Sequence, residues 1–83
     1  MKPIVFELYA NLERLAGTHE LRLELTDGAT TVADAVNQLA TARPELASSL
    51  ERCACVTGDT IIRRVDTLPV DGRIALLPPV AGG

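Results

Sequence analysis

Glu20-Leu21-Arg22-Leu23-Glu24-Leu25 alternates strictly, with leucine in one phase and charge in the other. A strand repeats every two residues, so this stretch puts an apolar face on a core and a charged face in water. A shift of one residue would exchange the two faces, so the register is strongly specified. Thr26-Asp27-Gly28 follows as turn chemistry. Thr31-Val32-Ala33-Asp34 then resembles a capping box, with Asp34 in place of the usual Glu or Gln. Val32, Ala35, Val36 and Leu39 recur at helical spacing, which predicts a helix of about ten residues lying on the sheet.

The same reading extends outward in both directions. Ile4 to Ala10 predicts a first strand, with Ile4, Phe6, Leu8 and Ala10 on one face and Glu7 on the other. Asn11 to Ala16 reads as a short helical turn capped by Asn11, with Leu12 and Leu15 turned inward and Gly17 ending it. Pro44 suits the first turn of a second short helix that buries Leu46 and Leu50. Cys53 to Thr57 reads as a third strand. Gly58-Asp59 is a tight turn into a short edge strand, Thr60 to Ile62, with Arg63 and Arg64 at its exposed end. Leu68 to Gly72 is a connection, and Arg73 to Leu77 is the last strand. One amphipathic helix packed on one face of a mixed sheet is the economical solution. The expected class is therefore α+β: a β-grasp, ubiquitin-like arrangement of about five strands on one main helix, with the last strand central. Residues 1–77 form this domain and 78–83 form a tail.

That tail carries the functional signal. Pro78-Pro79-Val80-Ala81-Gly82-Gly83 follows the apolar run Ile74-Ala75-Leu76-Leu77 directly. Two prolines cannot donate to a sheet ladder and favour a stiff, extended exit. Six extended residues carry a terminal carboxylate roughly 20 Å from the body. Gly82 and Gly83 have no Cβ, so they can enter a narrow channel. A globular handle with a slim carboxylate tip suits a carboxylate that another protein handles chemically.

Composition narrows the alternatives. Eighty-three residues make a single domain whose core is built from Leu, Val, Ile and Ala, since Phe6 and Tyr9 are its aromatics. A net charge of −3 and the lack of stacking aromatics argue against a nucleic-acid binder. No apolar stretch approaches the roughly 20 residues that span a bilayer. Met1-Lys2-Pro3 leads straight into a strand rather than a signal peptide, so a cytoplasmic location is expected.

On Asp71-Gly72, the strand Ile74 to Leu77, the Pro-Pro-Val-Ala-Gly-Gly ending and the segment Leu12-Glu13-Arg14-Leu15-Ala16-Gly17, the chain resembles the small, sulfur-carrying subunit of molybdopterin synthase, a ubiquitin-like family. The resemblance covers essentially the full length. It implies that an E1-like enzyme uses ATP to adenylate the carboxylate of Gly83, and that a sulfur donor protein converts the acyl-adenylate to a thiocarboxylate. It further implies that the tail enters the large synthase subunit, with Gly82 giving access to the channel. There sulfur passes to a cyclic pterin precursor of the molybdenum cofactor. The family pattern implies a heterotetramer of small and large subunits, with no cofactor bound by this chain alone. Tyr9, Leu77, Pro78, Pro79, Val80 and Ala81 are carried over as interface residues. Arg73 departs from the pattern, standing where an acidic residue commonly follows Asp-Gly.

Other residues invite a chemical reading and do not hold it. Cys53 and Cys55 point the same way on a strand, where an i, i+2 disulfide is badly strained. With His19 as the only histidine they do not make a zinc site, and small buried hydrophobes is the simpler reading. Ser48-Ser49 has no evident base nearby, so no metal or nucleophile–base site is expected. Three alternative functions share the fold. One is a protein modifier joined through Gly83 to lysine, and another is a sulfur carrier for thiamin or a different pathway. The third is an interaction module with an inert terminus.

Overall fold

The computed structural model describes residues 2–79. Five strands form one mixed sheet: β1 (Lys2–Leu8), β2 (Glu20–Leu25), β3 (Ala54–Thr57), β4 (Thr60–Ile62) and β5 (Arg73–Leu77), in the order β2-β1-β5-β3-β4. The last strand is central, parallel to β1 and antiparallel to β3. Three helices accompany the sheet: α1 (Asn11–Ala16), α2 (Val32–Ala42) and α3 (Ala47–Leu50), the last entered through a 3-10 turn at Pro44–Leu46. This is the β-grasp, ubiquitin-like arrangement. No helix among the described residues is long and apolar enough to cross a membrane.

The core follows the periodicities of the sequence. Ile4, Phe6 and Leu8 of β1 and Ile74 and Leu76 of β5 meet Val32, Ala35, Val36 and Leu39 of α2. Each large side chain buried there stabilises the fold by about 1.5–3 kcal/mol. The capping box at α2 is complete: Thr31 Oγ1 accepts from the Asp34 N–H, and the Asp34 carboxylate accepts from the Thr30 and Thr31 N–H groups. Those backbone donors hold the Asp34 carboxyl below its ordinary range. Three glycines take positive φ, Gly58 in the β3–β4 turn among them. Gly17 ends α1 at φ 77°, and Gly72 turns into β5 at φ 70° while its carbonyl accepts from the Val5 N–H.

Four expectations are corrected. Strand β1 spans Lys2–Leu8 and leaves out Ala10, which takes φ 53° and ends the strand by turning sharply into α1. Asn11 is not the cap: Ala10 occupies the N-cap without a side-chain bond, and the Asn11 amide instead donates to Ser49 Oγ at 3.2 Å. Leu15 is 47% exposed, because α1 is too short to bury more than one stripe and Leu12 takes that place. Cys53 lies just ahead of β3 rather than within it.

Arg64 is also more than an exposed strand end. Its guanidinium donates to the carbonyls of Leu50 and Cys53 at 2.6 and 3.2 Å, satisfying oxygens that the end of α3 leaves open.

Candidate functional site

Strand β5 sets the position of the tail. It pairs with β1 through Leu8↔Leu76 and with β3 through Ala54↔Leu77, so the chain leaves the sheet at its middle. Pro78 and Pro79 follow directly and carry no N–H for a further rung. Tyr9 and Leu77 each come one residue after the last β1–β5 pair, which sets both at the same end of the sheet. Leu77 is 38% exposed. Tyr9 is half-buried and meets the His19 ring edge-on, with centroids 4.9 Å apart. Val80, Ala81, Gly82 and Gly83 lie outside the described residues.

Two different surfaces flank this exit. The face of the sheet turned away from the helices carries Ala54 and Val56 of β3, Ile61 of β4, and Ala75 and Leu77 of β5. Ile61 is 74% exposed. Beside that apolar strip, Arg73 donates to Glu7 Oε2 at 2.7 and 3.0 Å and to Glu20 Oε2 at 2.6 Å, tying three strands together. Glu7 and Glu20 are direct cross-strand partners, an arrangement that repels until a cation sits between them. The arginine that departs from the family pattern therefore resolves a local charge conflict.

The second surface is a groove of about 690 Å³ on the helical side, walled by α1 and the end of α3 and bounded by Pro78 and Pro79. Ala10, Asn11 and Arg14 line one wall, and Ser48, Ser49, Glu51 and Arg52 line the other. The Asn11–Ser49 bond links the two walls. Reading the sequence missed this groove, because its two walls come from segments far apart in the chain.

The thiols stand apart from both surfaces. Cys53 and Cys55 are buried, and Cys53 Sγ donates to the Ser49 carbonyl at 3.1 Å. Burial pushes the Cys53 thiol up to about 11, with the neighbouring Cys55 adding to the effect and Arg64 opposing it; burial also raises Cys55. A thiol held protonated and covered is a poor nucleophile and a poor metal ligand. Among the described residues, no three His, Cys, Asp or Glu side chains gather as metal ligands would.

This fold, a five-stranded mixed sheet with its last strand central and helices on one face, recurs in solved structures. SAMP1 from Haloferax volcanii is 27% identical, with a TM-score of 0.81 over 98% of this chain and 99% of that one. A putative molybdopterin converting factor subunit 1 from Pyrococcus furiosus matches with a TM-score of 0.78 at 19% identity, over 96% of this chain and all of that one. A complex of subunits 1 and 2 of molybdopterin-converting factor from Helicobacter pylori matches with a TM-score of 0.65 at 20% identity, over 98% of this chain and 99% of that one. Comparison with curated proteins finds no match. The fold is thus that of ubiquitin-like sulfur carriers and their modifier relatives, and the family model covers residues 6–83 with the terminal glycines included: the chain belongs to the ThiS family.

Proposed function

We propose that this chain is the sulfur-carrying small subunit of a molybdopterin synthase, with Gly83 as the residue that carries the sulfur. The observation behind the reading is the family match over residues 6–83, which ends on Pro78-Pro79-Val80-Ala81-Gly82-Gly83. A carboxylate is a poor electrophile until one oxygen becomes a good leaving group. An E1-like partner, which holds the ATP, supplies that: a Gly83 carboxylate oxygen attacks the α-phosphorus and pyrophosphate departs. A sulfur-donor protein then delivers sulfur to the acyl carbon, AMP leaves, and a thiocarboxylate remains.

The large synthase subunit takes up the tail, and sulfur passes to a cyclic pterin precursor. Gly82 lets the backbone lie flat in the channel. Pro78, Pro79, Val80 and Ala81 form the stem, with Tyr9 and Leu77 meeting the partner where the stem leaves the body. The chain contributes a reactive group rather than a catalytic constellation. The Helicobacter pylori complex of subunits 1 and 2, similar in fold, supports a large-subunit partner.

The likeness to SAMP1 favours one second reading, in which Gly83 ends in an isopeptide with a protein lysine. One experiment separates the two. Protein purified from its host is analysed by intact mass spectrometry, and its C-terminal peptide is sequenced after alkylation. Oxygen replaced by sulfur at Gly83 is the expected result. Gly83 joined to lysine favours the modifier. A Gly83 that stays unmodified after incubation with ATP, sulfur donor and the host's activating enzyme excludes both.

A further inference from the structure

We infer that the groove between α1 and α3 receives a carboxylate side chain from the protein that takes up the tail, and that Arg14 and Arg52 hold it. The inference rests on the tail reading above for the identity of that partner. The chain has seven arginines. Arg22, Arg43, Arg63 and Arg73 are paired with carboxylates, and Arg64 with two carbonyls. Among the described residues the guanidinium groups of Arg14 and Arg52 have no such partner, and both line the same groove. On a chain of net charge −3, two unmatched cations facing one cleft are a local reversal of sign. Glu51 shares the cleft without pairing to either arginine, which leaves a surplus of one positive charge.

The groove also lies where a partner must be. It begins at Pro78 and Pro79, and the six residues from Pro78 reach at most roughly 20 Å. A protein that encloses Gly83 in a channel therefore brings the rim of that channel against the body beside these prolines. The arginine fork matches a carboxylate in a bidentate way, and such charge-assisted bonds are the stronger kind. The Asn11–Ser49 bond links the walls before the partner arrives, so less ordering accompanies binding. Two free cations on an acidic chain suit a carboxylate on a protein, not a polyanion.

The test measures binding of the host's purified large synthase subunit and activating enzyme to the wild-type chain, to the Arg14→Glu/Arg52→Glu double variant, and to a chain lacking Gly82-Gly83. We expect the double reversal to weaken binding to the large synthase subunit by about tenfold or more and to flatten the dependence of that binding on salt. Its thermal unfolding should stay unchanged. Arg14→Lys/Arg52→Lys, which keeps the charge and loses the fork, should bind between the wild type and the double reversal. A double reversal that binds the large synthase subunit as the wild type does, or more tightly, overturns the proposal, whatever it does to the activating enzyme. If the truncated chain meanwhile loses sulfur transfer, the tail reading stands without it. If the wild-type chain binds neither protein, both readings fall.

Discussion

The open face of the sheet and the α1–α3 groove handle charge in opposite ways. On the sheet, Arg73 sits between Glu7 and Glu20 and every formal charge in that cluster has a partner. In the groove, Arg14 and Arg52 have none among the described residues. Matched charges contribute to the fold, because removing one leaves its partners unsatisfied. Unmatched exposed charges contribute little to the fold, so their value lies in what approaches from outside. Substitution in the two regions should therefore move different observables.

The largest effect on stability is expected where a matched arginine faces backbone. Arg64→Ala removes a charged donor from the Leu50 and Cys53 carbonyls, leaving Leu50 only the long bond from the Cys53 N–H, and should cost about 1.5–3 kcal/mol in denaturant unfolding, with partner binding unchanged. Retention of full stability would remove the contrast. Next comes Arg73→Met, which leaves Glu7 and Glu20 facing each other and should lower Tm by a few degrees, more at low salt than at high salt. Adding Glu20→Gln should restore most of the loss, and a double variant as unstable as the single one would argue against the charge conflict.

A smaller effect should appear with acid. Asp34 and Asp66 titrate below their ordinary range, chiefly because backbone N–H groups of Thr30 and Thr31 hold the one and that of Arg63 holds the other. A carboxylate whose folded pKa is depressed adds stability above its unfolded pKa and loses it as pH falls through the folded value. Their contribution should be constant from neutral pH down to the ordinary carboxylate range and decline below it. Asp34→Asn should shallow that acid limb when Tm is followed against pH. The smallest effect belongs to the groove: Arg14→Glu/Arg52→Glu should change unfolding free energy by less than about 0.5 kcal/mol. A larger loss would mean that these arginines belong to the fold after all.

Much of the architecture was legible because its signals are local. The alternation at Glu20–Leu25 and the helical spacing from Val32 to Leu39 reappear as burial, and the Thr31–Asp34 box closes as read. Three of the four corrections gather at one corner. Ala10, Asn11 and Leu15 were assigned by periodicity and propensity alone, but the turn out of β1 bends at Ala10 and rotates the short α1 that follows. A six-residue helix has too few contacts for its own pattern to set its orientation, so the neighbouring α3 decides what Asn11 touches.

By itself, the sequence determined which segments become strands and helices, which faces they bury outside the short α1, and that the chain leaves the sheet on two prolines. These depend on residues a few positions apart, where spacing and backbone chemistry act directly. Only the tertiary structure decided which charges find partners. Arg73 meets Glu7 across 66 residues of chain because β1 and β5 lie side by side. Arg14 and Arg52 share one groove because α1 packs near α3. The energy of a charge depends on what the folded chain brings within a few ångströms of it, and that is a property of the packing rather than of the sequence order.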